Sequence, residues 1–223
     1  MALNIAMDGP VGAGKSTIAD EVARRLGILH LDTGAMYRAV GLTALNRGVD
    51  VNDEGAVTRL CEGLTISVAH GPEGQRTLVD GLDVTGGLRT EAVSMAASKV
   101  ATYGGVRRAM VAAQQRMAAE TDMLVDGRDI GTRVLPGATV KIFLTADARE
   151  RARRRWEQLK EKGIAADFDE VLEDLRRRDD QDMHRAIDPL QAAADAVIVD
   201  STHLTFEQTV EAIVTLVKEK AHG

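Results

Sequence analysis

Asp8-Gly9-Pro10-Val11-Gly12-Ala13-Gly14-Lys15-Ser16-Thr17 follows the short apolar run Leu3-Asn4-Ile5-Ala6-Met7, which is long enough for one buried strand. After it, Ile18, Val22 and Leu26 recur at helical spacing with Ala19 and Ala23 beside them, while Asp20, Glu21, Arg24 and Arg25 take the other face. Gly27 suits a left-handed C-cap. The order is therefore strand, glycine-rich loop, helix. Gly9, Gly14, Lys15 and Ser16 fit the phosphate-loop pattern G-x-x-x-x-G-K-[ST]. Glycines let the backbone approach a ligand, successive amide N–H groups can point at phosphate oxygens, and the new helix adds a positive dipole end. The expected cradle for ATP is Gly9, Pro10, Val11, Gly12, Ala13, Gly14, Lys15, Ser16 and Thr17. Lys15 is expected to reach the β- and γ-phosphates, and the Ser16 hydroxyl to bind magnesium.

The remaining composition narrows the class. A chain of 223 residues makes one domain, or one domain with an insertion. A formal charge of −6 argues against a general nucleic-acid coat, and 3% aromatic residues leave no stacking platform for single strands. Cys61 is alone, so a disulfide framework is excluded and a reducing compartment is expected. With the first strand beginning at once, no signal peptide is expected, and no apolar run is long enough to span a membrane. These features predict a soluble cytoplasmic protein.

Along the chain, Ile28–Asp32 reads as a second strand, and Thr33-Gly34-Ala35-Met36-Tyr37-Arg38 opens a helix reaching Leu45, with Thr33 as its cap. Arg38 stands one turn in, either as a solvated charge or within reach of a bound anion. Residues 60–100 differ: Leu64–Val68 alternates as a half-buried strand does, Gly71-Pro72-Glu73-Gly74 is turn chemistry, and Thr77–Val79 and Leu82–Val84 are two more short strands. This antiparallel meander reads as an insertion. Thr90 to Ala101 is expected to be helical with Ala92, Met95 and Ala96 on one face, and Gly104-Gly105 to separate it from a helix over Val106–Glu120. Met123–Val125 is a buried strand with Asp126-Gly127-Arg128-Asp129 at its C-terminal end, the edge at which open α/β sheets bind ligands. Asp126 there can hold magnesium through water, and Arg128 a phosphate.

Val140–Leu144 is the next strand. Arg149, Arg151, Arg153, Arg154 and Arg155 then crowd into seven residues of a helix starting near Asp147, with Arg151, Arg154 and Arg155 on one face. Such a run is either a solvated face or, beside a phosphate loop, a lid that folds arginines over a triphosphate. On the helix opened by Asp167, the stripe of Arg178, Asp182 and Arg185 is either an internal ion-pair ladder or a binder of phosphate and sugar. Ala196–Asp200 is the last strand, and a Thr205/Gln208 capping box precedes a helix with Val210, Ile213, Val214 and Val217 inward. Five apolar strands alternating with helices imply an α/β fold: a phosphate-loop NTPase-type parallel sheet covered on both faces, plus the small antiparallel insert and a helical lid.

Over nearly its full length the chain resembles the bacterial cytidylate kinases. The matching segments are Asp8–Thr17, Leu31-Asp32-Thr33-Gly34-Ala35-Met36-Tyr37-Arg38, Val125-Asp126-Gly127-Arg128-Asp129-Ile130-Gly131-Thr132, Val140–Leu144, Arg178-Asp179-Asp180 and Asp200-Ser201-Thr202. The resemblance implies a single nucleoside-monophosphate kinase domain: a core of residues 1–59, 101–147 and 186–223, an NMP-binding insert near 60–100, and a lid with its following helix near 148–185. It implies a base pocket at Thr33, Ser98, Arg107 and Asp129, with Arg38, Arg128 and Arg185 near the acceptor phosphate. It also implies Arg178 and Asp182 around the ribose, with Arg151, Arg154 and Arg155 approaching the transferring phosphoryl group beside Lys15. The chain departs in having Thr33 where some members have serine, and Gly104-Gly105 where a proline-containing turn is expected. The expected reaction is ATP with CMP or dCMP, by a monomer. The alternatives are another acceptor (UMP, AMP or a small metabolite alcohol) and a nucleotide-dependent switch; the absence of an N-K-x-D segment and the arginines supplied in the same chain disfavour the switch. His30, His70, His184, His203 and His222 are not needed as bases, because a phosphate acceptor is already anionic.

Overall fold

Strand β1 (Asn4–Asp8) lies at the centre of a five-stranded, wholly parallel sheet of order β2-β6-β1-β7-β8, built with β2 (Leu29–Asp32), β6 (Met123–Gly127), β7 (Val140–Thr145) and β8 (Val197–Asp200). The computed structural model describes residues 2–71 and 74–221. Because helices cover both faces, the central strands are apolar throughout: Ile5, Met7, Leu124, Ile142 and Leu144 are fully or almost fully buried. Each such side chain stabilises the fold by about 1.5–3 kcal/mol. One layer is closed by α1 (Lys15–Leu26) and α8 (Phe206–Ala221), whose Ile18, Val22, Val210, Ile213, Val214 and Val217 form one cluster with those strands. Gly27 caps α1 in the left-handed region, and Thr205 and Gln208 bond each other's backbone N–H ahead of α8, both as the sequence predicts.

The other layer holds α2 (Thr33–Asn46), α3 (Glu54–Glu62) and α5 (Gly104–Glu120). Between α3 and α5 comes the antiparallel sheet β3 (Ile66–Gly71), β4 (Gly74–Val79) and β5 (Leu82–Asp83), a 3₁₀ turn at Thr85–Gly87, and α4 (Glu91–Val100). The expected turn at 71–74 contains Pro72 and Glu73, which lie outside the described residues, as does His222. This insert covers an open sheet edge. The His70 ring bonds the His30 carbonyl at 2.6 Å, while the Gln75 side chain accepts from Asp32 N at 2.8 Å and donates to Asp32 O at 3.3 Å. Side chains thus satisfy backbone groups that edge strand β2 would otherwise leave open.

Several local expectations shift. Asp32, not Thr33, caps α2, accepting from Ala35 N; the Thr33 hydroxyl instead donates to the Asp126 carbonyl at 2.7 Å. β3 starts at Ile66 rather than Leu64, and α3 was not foreseen. On α4 the inward face is Val93, Ala96, Ala97 and Val100, so Ala92 and Met95 are exposed: α4 meets α2 where Ala96 and Ala97 lie against Gly41. Gly104 and Gly105 belong to the first turn of α5 rather than to a break before it. A Cβ on Gly105 would lie 2.2 Å from Cγ2 of Thr58, so glycine there serves the close packing of α3 on α5.

After β7 come α6 (Ala148–Glu161) and α7 (Phe168–His184), a hairpin joined by Ala152, Leu172 and Leu175 and packed on Val11 of the phosphate loop. Asp147 and Asp167 cap the two helices. A π turn at Ile130–Val134 follows β6.

Candidate nucleotide-binding and phosphoryl-transfer site

The C-terminal ends of β1, β2 and β6 deliver the glycine-rich loop, Asp32 and Asp126–Asp129 to one edge of the sheet. Gly9 has φ +151, and a Cβ on it would lie 2.0 Å from the Leu144 carbonyl oxygen, so β7 itself excludes any side chain there. Lys15 is buried, with Nζ donating to the Gly9 and Pro10 carbonyls at 2.7 and 2.8 Å. Burial, and then the nearby Arg128 charge, bring its pKa down to about 7. An anion in the loop would restore the full charge.

The Ser16 hydroxyl donates to Asp126 Oδ2 at 2.9 Å. The other oxygen of Asp126 lies 2.7 Å from His30 Nε2, and His30 Nδ1 lies 2.5 Å from Asp20. Ionised carboxylates only accept, so both ring nitrogens donate and the imidazole is cationic. Burial opposes that charge most strongly, yet Asp126 and Asp20 together outweigh it and raise the His30 pKa to about 10. His30 in turn helps hold the Asp126 carboxyl below its ordinary range against burial. Ser16 and Asp126 are hard oxygen donors of the kind magnesium takes. Among the described residues no group of three or more His, Cys, Asp or Glu forms a metal cage. This pairing fits an ion held mainly by phosphate and water.

Asp129 stands at the N-terminus of the π turn. The Asp8 carboxylate accepts from Ile130 N and Gly131 N at 2.7 and 2.8 Å, tying the start of the phosphate loop to that turn. Asp129 is gripped from two sides: Arg107 Nη2 bonds Oδ2, and Arg185 Nη2 bonds Oδ1 at 3.0 Å. Arg107 is almost wholly buried over the Tyr37 ring, 5.9 Å from its centroid. Burial raises the Asp129 pKa, with the two arginines working against it. Arg185 therefore joins the expected base pocket rather than standing apart from it. Arg128 pairs with Asp182 at 2.7 Å and donates to the Gly127 carbonyl. Arg38 pairs with Asp32 at 2.6 Å, and its buried Nε has no partner.

Other expected residues are placed differently. The Thr33 hydroxyl is committed to the Asp126 carbonyl. Ser98 accepts from Gln181 Nε2 through both its hydroxyl and its carbonyl, and no described hydrogen bond links it to Asp129 or Arg107. Arg178 lies 3.9 Å from Asp174 rather than against Asp182; burial lowers its pKa, as do the charges of Arg128 and Arg155. Arg151 is not a free lid cation. It is buried, donates to Ala146 O at 2.9 Å and Val11 O at 2.6 Å, and pairs with Asp179 at 2.7 Å. Asp179 also accepts from Val11 N at 3.0 Å, so this pair clamps the loop tip from both sides. Arg154 bonds Glu150 and the Ser201 carbonyl. Arg155 alone of the three is exposed. Three of the five α6 arginines, Arg151, Arg153 and Arg154, are neutralised within the chain, by Asp179, Glu150 and Glu157.

A cleft of about 80 Å³ opens beside Ser16, His30 and Arg38, walled by Gln75, Thr77 and Arg89 of the insert. A roomier cavity of about 270 Å³ near Cys61, Ile66 and Met110 is lined by none of the phosphate-loop residues and none of the expected site arginines.

A family model described as cytidylate kinase matches residues 5–219. The chain belongs to the cytidylate kinase family. A cytidylate kinase of Shouchella clausii is 47% identical over 216 residues, covering 97% of this chain and 96% of the relative. One from Geobacillus kaustophilus is 47% identical over 218 residues, covering 98% and 97%. Among solved structures, a gluconokinase from Sinorhizobium meliloti superposes with a TM-score of 0.53 at 13% identity, covering 100% of this chain and 96% of that one, which speaks to the fold. As a cytidylate kinase family member, the chain is a nucleoside-monophosphate kinase that uses ATP.

In this family member, sequence reasoning passed over His30, Asp8, Asp179 and Gln75. His30 and Asp32 alternate onto one face of β2, which was the available signal. The backbone groups that Asp8 and Asp179 accept from, on Ile130, Gly131 and Val11, lie more than a hundred residues away, beyond any local pattern.

Proposed function

We propose that this protein transfers the γ-phosphoryl group of ATP to CMP or dCMP, giving ADP and CDP or dCDP. The observation that carries this reading is Asp129, held between Arg107 and Arg185 on the same sheet edge as the phosphate loop. Each Asp129 oxygen keeps a lone pair beyond its arginine. An acceptor-only carboxylate suits the exocyclic amino group of cytosine; uracil offers a carbonyl there and would leave the site's groups unpaired.

The glycine-loop amides and Lys15 would hold the triphosphate, Lys15 exchanging the Gly9 and Pro10 carbonyls for phosphate oxygens. Magnesium, held by Ser16 and through water by Asp126, would offset phosphate charge. Arg38, with an unpartnered Nε, and Arg128 would bind the acceptor phosphate, and Asp182 and Arg178 would flank the ribose. The acceptor oxygen is already anionic, so catalysis rests on positioning and electrostatics. Residues 148–185 act as the lid in this reading, with Arg155, of the three expected arginines, the one that would break no described ion pair, and residues 60–100 as the NMP-binding insert. The protein works as a cytoplasmic monomer, a reading supported by the family resemblance and the free Cys61.

The test is ADP release from Mg-ATP with CMP, dCMP, UMP, AMP or no acceptor. CMP and dCMP should give the highest kcat/KM. Equal or faster turnover with UMP or AMP would remove the assignment, and turnover without acceptor would favour a hydrolytic switch.

A further inference from the structure

Asp188 lies between α7 and β8, outside the motifs that point to the nucleotide site. It has φ +46, left-handed backbone, immediately before Pro189. The other non-glycine residue with positive φ among those described is Asp80, in the tight turn between β4 and β5. Aspartate tolerates this conformation better than most residues, but it holds there only when its surroundings fix it.

What surrounds Asp188 is the pair of arginines that grips Asp129. Its Oδ2 accepts from Arg107 Nε at 3.0 Å. Its carbonyl accepts from Arg185 Nε at 2.7 Å and from Arg185 Nη2. Its other carboxylate oxygen lies 3.7 Å from Arg133 Nε. Apart from Asp129, no described residue hydrogen-bonds both arginines. The left-handed turn allows one residue to face its side chain toward α5 and its carbonyl toward the end of α7. Arg107 then has two edges fixed: Nε on Asp188 and Nη2 on Asp129, with Nη1 on the Ala101 carbonyl at 3.3 Å. A planar guanidinium held at three nitrogens cannot swing about its stem.

We propose that Asp188 is a positioning residue for pyrimidine recognition: by setting the plane of Arg107 and the reach of Arg185, it fixes which Asp129 lone pairs face the base, and so sharpens the choice of cytosine over uracil. The inference rests on the base-pocket reading above. It acts through Arg107 and Arg185 and needs no contact between Asp188 and substrate.

The test compares Asp188→Ala, Asp188→Asn, Arg107→Met and the double variant Asp188→Ala/Arg107→Met, by steady-state kinetics with CMP and UMP. Losing a charge-assisted hydrogen bond should raise the CMP KM about 10- to 100-fold in Asp188→Ala, with kcat within about threefold of wild type. The CMP-to-UMP ratio of kcat/KM should fall, and Asp188→Asn, which tolerates the turn and keeps an acceptor oxygen, should recover most of it. The double variant should bind CMP no worse than Arg107→Met alone, because the Asp188 side chain acts through Arg107, while its carbonyl to Arg185 is kept in both variants. If Asp188→Ala does not fold, Asp188→Gly, which relieves the backbone, is used instead with CMP affinity measured by calorimetry. Wild-type CMP KM and selectivity in Asp188→Ala, alongside a raised KM in Arg107→Met, would overturn this proposal while leaving the base pocket standing. An unchanged CMP KM in Arg107→Met would overturn the base pocket and this proposal with it.

Discussion

Replacing Arg151 separates a structural cation from a catalytic one. In Arg151→Ala the Asp179 carboxylate, itself almost fully buried, loses its ion-pair partner, and the Val11 and Ala146 carbonyls lose a donor. Breaking one half of a buried pair costs about 3–5 kcal/mol. For a chain of this length each kcal/mol lowers Tm by about 2–4 °C, so Tm should fall by roughly 10 °C. Urea unfolding should show the same loss as a lower midpoint with an unchanged slope. Because Arg151 and Asp179 hold both backbone groups of Val11, the loop tip should loosen and the KM for ATP should rise, with a smaller effect on kcat. Removing both charges, as Arg151→Met with Asp179→Leu, should recover much of the stability. The reasoning is refuted if Arg151→Ala loses less than about 1 kcal/mol while kcat falls more than about a hundredfold. Arg151 would then have to leave its buried partners to meet the phosphate.

Lys15→Met should abolish turnover while unfolding no more easily than wild type, since burial already disfavours the Lys15 charge; near-normal kcat would contradict the mechanism. Burial raises the Asp8 pKa from 3.8 to about 6. Its contribution to stability is therefore full below about pH 4 and is lost as pH rises through about 6. Wild type should gain on Asp8→Asn, by on the order of 2–3 kcal/mol, between pH 7 and 4 in urea unfolding; a constant difference would show that Asp8 does not titrate there. Gly105→Ala should cost about 1–3 kcal/mol through its clash with Thr58, and adding Thr58→Ala should recover most of it; thermal unfolding of both variants checks this. Chelating magnesium should stop turnover without lowering the Tm of the nucleotide-free protein, in which Ser16 and Asp126 already satisfy each other; calorimetric scans with and without chelator test it.

Where reasoning from sequence worked, the signal was local. The glycine-rich loop between strand and helix, the Gly27 cap, the Thr205/Gln208 box and the valine stripe of α8 each depend on residues within a few positions of one another. Where it slipped, two surfaces competed. The pattern around Ala92, Met95 and Ala96 was a reasonable helical face, but only Ala96 of it turns inward: Ala96 and Ala97 lie against Gly41 of α2, with Val93 and Val100 buried beside them. The arginines of α6 were legible as an excess of charge, yet whether each met solvent, a carboxylate or a phosphate depended on α7 and on Val11, packed against them from elsewhere in the chain.

By itself the sequence determined the strand–loop–helix unit, the alternation that makes a parallel sheet, and the residue types offered to phosphate and to base, because backbone geometry and hydrophobic periodicity act over a few residues. Only the tertiary structure decided which charges are spent inside the protein. Folding placed Asp179 on Arg151, His30 between Asp20 and Asp126, and Asp188 on Arg107. Pairing of buried charges is set by distance in space and by the cost of leaving a charge unmet in a poorly polarisable interior, and neither quantity is written in the spacing of residues along the chain.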